Sequence, residues 1–182
     1  TILFVIYSLF FGIEMMDSGF IISLAKKLHG GQIIYKDFDY VRPPNTVIFW
    51  NIILTPFWYF TKYVFVISRF LVLLQFVLIT YNIYKVINVS RKISLHAFCL
   101  ILVMLININP LMPWHTIDGI FFLSFAIRYL HHKRFLLSLV FSFLAACTTQ
   151  PFLIPFIFLL IYSIYSWKTL KWKENYLQFT SS

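Results

Sequence analysis

Acidic side chains are scarce in this chain of 182 residues, and most of them are gathered in one place. Of six carboxylates, Glu14, Asp17, Asp37 and Asp39 lie in the polar stretch 14–44, EMMDSGFIISLAKKLHGGQIIYKDFDYVRPP. Asp118 heads a later apolar run, and only Glu174 is elsewhere. Carboxylates sharing one face can deprotonate a hydroxyl or hold a divalent cation, and Asp17, Asp37, Asp39 and Asp118 are the candidates. A basic or amide group beside them can hold a phosphate. Arg42, just ahead of Pro43-Pro44, and Gln150, in Thr148-Thr149-Gln150-Pro151, have the side chains for that. His115 stands three residues before Asp118 and can meet the same ligand.

Each of these residues also has a purely structural role open to it. Asp17, with Ser18, stands where a helix N-cap belongs, and Asp118 could cap the helix beginning GIFFLSF. Asp37 and Asp39 in a polar loop could simply be solvated. Arg42 before a proline and His115 could be anchors at the level of lipid headgroups. Adjacent histidines point apart on a helix, so His131-His132 are no metal pair. Cys99 and Cys147 sit inside apolar runs without metal-type spacing and read as small core residues.

The elements that must position the candidates are membrane helices. A hydrophobic content of 60%, a charged content of 12% and a mean hydropathy of +0.83 exclude a soluble globular domain. The apolar runs do not alternate as barrel strands would, so the expected fold class is an all-α polytopic membrane protein. The opening run TILFVIYSLFFG, with no small-residue cleavage site after it, is expected to be the remainder of a first membrane helix. Residues 17–29 should form an amphipathic interfacial helix, with Phe20, Ile21, Leu24, Ala25 and Leu28 on one face and Gly30-Gly31 ending it. Apolar runs follow at 45–60, 67–86, 93–110, 117–130 and 135–166, the last breaking at 148–151.

Charge then orients the helices. The net charge of +9 carries no basic stripe with interleaved aromatics and implies no nucleic-acid partner. Three basic loops (Lys85, Arg91 and Lys92; Arg128, Lys133 and Arg134; Lys168, Lys171 and Lys173) belong in the cytoplasm. The acidic loop, Asp118 and Gln150 then share the outer face, provided that 45–60 is a partial or surface-lying helix broken at Pro56. On this topology the glycosylation-type triplet Asn88-Val89-Ser90 lies inside and is silent.

The order Asp17-Ser18-Gly19, an interfacial helix ending near Gly30, Tyr35-Lys36-Asp37-Phe38 and Arg42-Pro43-Pro44 resembles the first external loop of GT-C glycosyltransferases. More narrowly, it is similar to the branch of protein O-mannosyltransferases and the lipid A aminoarabinose transferase. There an Asp, often followed by a second acid, opens the loop and a basic-Pro-Pro triplet closes it, while a later Asp heads a helix as Asp118 does. Two departures stand out: Ser18 replaces the usual second acid, and Gln150 replaces a Lys that meets lipid phosphate.

The resemblance implies a GT-C-like helix bundle over 1–182, the front portion of a larger enzyme, with 14–44 as its active-site loop. It implies sugar transfer from a polyprenyl-phosphate donor to an acceptor hydroxyl of a glycan, lipid or protein, usually with inversion. Asp17 would be the general base, and Asp118 the second acid, positioning acceptor or metal. Arg42 and Gln150 would meet the leaving phosphate, with Asp37, Asp39, His115 and Tyr35 around the substrates. No cofactor is demanded beyond a candidate divalent metal on Asp17 and Asp118. Short loops place the chain in a bacterial inner membrane rather than the endoplasmic reticulum. The alternative is a non-catalytic polytopic protein such as a flippase, polymerase partner or transporter, which should carry charge or broken helices at mid-membrane. Arg69 is the main residue of that kind here.

Overall fold

A computed structural model describes residues 19–90, 95–109 and 111–180. The opening run, Glu14, Asp17, Ser18, Arg91 and Lys92 lie outside the described residues. The helices are α1 (Phe20–His29), α2 (Asn45–Leu54), a 3-10 segment (Thr55–Tyr63), α3 (Val64–Ser90), α4 (Leu95–Ile108), α5 (His115–His131), α6 (Phe135–Ala146), a 3-10 turn (Gln150–Phe152) and α7 (Leu153–Thr180). The protein is all-α as expected: the described residues are mostly helical, with no strand among them.

Helix α1 buries Ile21, Ile22, Leu24 and Ala25 against α2 and exposes Lys26 and Lys27, which is the amphipathic pattern read from the sequence. Phe20 departs from it, being 44% exposed and turned toward Tyr40. The helix ends in a Schellman arrangement. Gln32 N–H reaches the Lys27 carbonyl, Gly31 N–H reaches that of Leu28, and Gly31 takes φ +86, which only glycine adopts cheaply.

The 45–60 run divides in two, as the favoured topology required of it. Helix α2 has ten residues, about 15 Å at the α-helical rise, half of a hydrocarbon core of about 30 Å. Pro56, which has no N–H to donate, then falls in the 3-10 segment, where a kink at Phe60 (φ −99, ψ 49) redirects the chain. Trp50 and Leu54 of α2 are fully buried against α1, α3 and α5.

Side-chain pairs fix how the longer helices run. Gln75 meets Asp118 and Asn82 meets Ser124, so α3 and α5 lie side by side in the same direction. Tyr84 against Phe98 turns α4 back along α3. The turn at 131–134 reverses the chain, and with Ser138 donating to the Ala126 carbonyl and Phe141 stacked on Phe125, α6 returns along α5. Phe143 against Phe156 sends α7 the other way again. One end of the bundle therefore carries residues 42–45, 111–116 and 147–152, while Lys85, Arg128 and the 131–134 turn lie at the other.

One expectation fails on length. Among the described residues only Val64–Ile87, within α3, is a helix long and apolar enough to cross a membrane. The other runs give shorter apolar helices, His96–Ile106, Phe135–Ala146 and Gln150–Ser166. Turns consume the ends of each run: Leu111–Trp114 at one, and Cys147–Thr149 where the 135–166 run was expected to break.

Gly119 sets the spacing at the end that bears Arg42. A Cβ there would fall 2.1 Å from the Phe152 ring, so α5 and the 148–152 turn meet only because residue 119 has no side chain. Gly119→Ala should destabilise the fold by roughly 1–3 kcal/mol through overpacking. Thermal unfolding in detergent should show the loss, and it should vanish when the same change is made in a Phe152→Ala background.

Candidate functional site

The candidate site is assembled where a strained loop meets the start of α5. Residues 33–38 close on themselves: Lys36 and Asp37 N–H groups donate to the Ile33 carbonyl, and the Asp37 carboxylate accepts the Ile33 N–H at 2.7 Å. The turn forces Tyr35 to φ 68, a left-handed conformation that costs a non-glycine residue about 1–3 kcal/mol. That conformation lets the Tyr35 hydroxyl donate to the Arg42 carbonyl at 2.6 Å, fixing the backbone just ahead of Pro43-Pro44.

Arg42 is held by its side chain as well. Its Nη1 donates to His115 Nδ1 at 2.6 Å, and its guanidinium lies 5.5 Å from the centroid of the Trp114 ring. Arginine has only donors, so His115 Nδ1 must be the acceptor, and the ring proton sits on Nε2. Trp114 is extended (φ −148, ψ 135) and its ring lies 4.4 Å from that of His115, the first residue of α5.

Two adjoining clefts share Val41, Arg42 and His115 as a common wall. The first, about 370 Å³, adds Phe20, Asp39, Tyr40 and Trp114. The second, about 470 Å³, adds Pro43, Thr116, Thr149, Gln150, Pro151 and Phe152. The first offers a carboxylate beside aromatic rings. The second has hydroxyl and amide groups, no carboxylate, and the positive end of the α5 dipole, which suits an anion. Tyr40 has its hydroxyl buried in the wall of the first cleft without a protein partner. Burial pushes this phenol up to about 12, against the pull of the Arg42 charge, so it stays a hydrogen-bond donor at neutral pH.

Asp118 lies beneath these clefts and lines neither. Its carboxylate is fully buried and accepts from Trp50 Nε1 at 3.0 and 3.2 Å and from Gln75 Nε2 at 2.9 Å. The buried Thr46 hydroxyl is beside it without reaching hydrogen-bond geometry. Asp118 does not cap α5, which has no side-chain cap. It joins α2, α3 and α5.

The sequence-derived candidates therefore separate. Arg42, His115, Asp39 and Gln150 come together around the clefts. Tyr35 and Asp37 support the loop from behind. Asp118 is an internal carboxylate, and Asp17 lies outside the described residues. No group of three or more metal-ligating side chains occurs among the described residues. Arg69 is 5% exposed within α3, where a headgroup-level residue would be open. Sequence reasoning missed Trp50, Gln75, Tyr40 and Trp114. For Gln75 the signal was present: an amide in the middle of an apolar run needs a buried partner.

No protein-family model, curated protein or solved structure matches this chain.

Removing the internal carboxylate should cost stability before anything else. Asp118→Ala strands the buried Trp50 and Gln75 donors, each worth about 1–3 kcal/mol when unsatisfied. Asp118→Asn keeps one acceptor and should lose less. Denaturant unfolding in detergent should rank wild type above Asp118→Asn above Asp118→Ala; equal stability of the three would contradict the packing described.

Proposed function

We infer that the chain is part of a multi-pass membrane glycosyltransferase of GT-C type, using a polyprenyl-phosphate-linked sugar. An acceptor hydroxyl oxygen would attack the anomeric carbon, the bond from that carbon to the lipid phosphate oxygen would break, and the configuration would invert. The hydroxyl proton would pass to Asp17, and the electron pair would leave with the polyprenyl phosphate. The setting proposed for it is a bacterial inner membrane rather than the endoplasmic reticulum, with the clefts at the outer face.

The observation that carries the reading is Arg42. A guanidinium fixed by His115, Trp114 and the Tyr35 turn stands on the wall between two clefts, one fit for an anion and the other lined by aromatic rings and a carboxylate. Such a preorganised cation is suited to charge that grows on a leaving phosphate. Gln150 would add an amide donor. The separation of the site from Lys85 and Arg128 by the length of α5 supports it too, because it matches an outer site and a basic cytoplasmic side. Asp118, in this reading, positions α2 and α5 beneath the substrates rather than touching them.

The non-catalytic reading draws its support from Arg69, a buried cation on the one long apolar helix among the described residues. Transport and channel proteins place charge in that way.

Full-length protein in vesicles, offered polyprenyl-phosphate mannose, glucose and aminoarabinose, should release polyprenyl phosphate from one of them. Arg42→Ala should lower that rate by about 10²–10³-fold, the cost of removing one transition-state donor. Asp17→Ala should abolish it while membrane insertion is unchanged; activity retained there removes Asp17 as the base. Release from none of the three donors would favour the non-catalytic reading. Cysteines placed singly at Ser18, Thr116 and Ser90, with Cys99 and Cys147 removed, give the sidedness. A membrane-impermeant reagent should label the first two and spare the third.

A further inference from the structure

The far end of α3 and α5 holds a second arrangement that sugar transfer does not use. Tyr81 of α3 has two cations against one ring: Arg128 of α5 lies 5.1 Å from its centroid and Lys85 lies 5.5 Å from it. Arg128 is oriented from inside the bundle. Its Nη1 donates to Asn82 Oδ1 at 2.9 Å, and the fully buried Asn82 spends its own amide on Ser124 Oγ at 3.0 Å. The aromatic face attracts both cations, and the Asn82 side-chain oxygen attracts Arg128, without neutralising either.

No carboxylate on α3 or α5 compensates them. Asp118, the one acid of these two helices, lies ten residues before Arg128, about 15 Å along the helix, and is bonded to Trp50 and Gln75. Two like charges brought to one ring, with no counter-charge beside them among the described residues, make a place for an anion.

The surface leading away from this place is apolar. Phe70, Leu74 and Tyr81 are exposed at 59, 45 and 38% and recur at helical spacing, forming one stripe of α3 that ends at Lys85. From Phe70 to Tyr81 the stripe runs about 16 Å, close to the length of an extended fatty acyl chain. The cations sit at the polar end of the helix that is long enough to cross a membrane.

We propose that Lys85, Arg128 and Tyr81 form a binding site for the headgroup phosphate of an anionic phospholipid, whose acyl chain lies along the Phe70–Leu74–Tyr81 stripe. The site needs the chain to reside in a membrane but not the transfer reaction, so it stands or falls separately from it. Arg128 and Lys85 would each donate to phosphate oxygens, and the ring between them would hold both side chains in place before the lipid arrives, lowering the entropy lost on binding.

The chain reconstituted in nanodiscs of mixed phosphatidylglycerol and phosphatidylcholine, then analysed by native mass spectrometry, tests the site. Wild type should retain phosphatidylglycerol preferentially. Lys85→Gln, which breaks none of the helix-to-helix hydrogen bonds, should weaken that preference about five-fold, the effect of one cation near an anionic headgroup. Arg128→Gln should weaken it at least as much, and Lys62→Gln, at the opposite end, should leave it unchanged. Equal retention of the two lipids by wild type, or a preference that survives Lys85→Gln, overturns the site. Displacement of the lipid by millimolar inorganic phosphate would overturn the lipid assignment in favour of a free anion.

Discussion

The buried carboxylate of Asp118 is the contact through which three helices agree on their positions. Trp50 comes from α2, Gln75 from α3 and Asp118 from α5, and their hydrogen bonds meet inside an apolar core. A carboxylate without water is costly unless its oxygens are satisfied, so the three helices cannot slide past one another without stranding it. Burial alone would not impose this. Apolar side chains such as Phe76, Ile79 and Ile117 fill space next to the site but tolerate shifts in register that hydrogen bonds do not. The cleft-bearing end inherits its precision from this point: His115 and Thr116 lie within one turn of Asp118, and Gly119 lets the 148–152 turn approach on the other side.

The loop before α2 is built on the opposite principle, with local strain sustained by local bonds. Tyr35 is held in a left-handed conformation by a turn that the Asp37 carboxylate closes, and the reward is a hydroxyl delivered to the Arg42 carbonyl. Two polar residues that read as substrate contacts in the sequence thus serve Arg42 from behind. The proline pair continues the constraint into α2, whose first turn is tied to α6 by Asn45, with its amide on the Leu144 carbonyl and its N–H on that of Cys147. Arg42 is consequently fixed from its backbone, its guanidinium and the chain that follows it.

Carboxylates, though not cations, are confined to one end of the bundle among the described residues up to 166. The described carboxylates Asp37, Asp39 and Asp118 lie at or beneath the Arg42 end, and Arg128 and Lys85 converge at the other. A mixed polar cleft at one pole and, among the same residues, cations without a carboxylate at the other would suit the orientation proposed above. The polar residues between the poles, Gln75, Asn82 and Ser124, are bonded to partners on neighbouring helices.

By itself the sequence determined which segments would be helical and where the long 135–166 run would break, and it offered Pro56 as a residue that makes a partial helix over 45–60 tolerable. Apolar periodicity, a glycine pair and prolines act through neighbours a few residues away. It also marked Arg42, His115, Asp39 and Gln150, because polar side chains are conspicuous in a chain so apolar. It could not tell a residue that faces a cleft from one that supports it. Asp37 and Asp39 are two residues apart in the same loop, yet one closes a turn and the other lines a cavity. Nor could it show that the carboxylate of Asp118 would be enclosed by an indole 68 residues away and an amide 43 residues away. Those roles depend on which helices run parallel and which face each turns inward. That was decided by tertiary packing, where satisfying a few buried polar groups selects one arrangement among many that bury apolar area equally well.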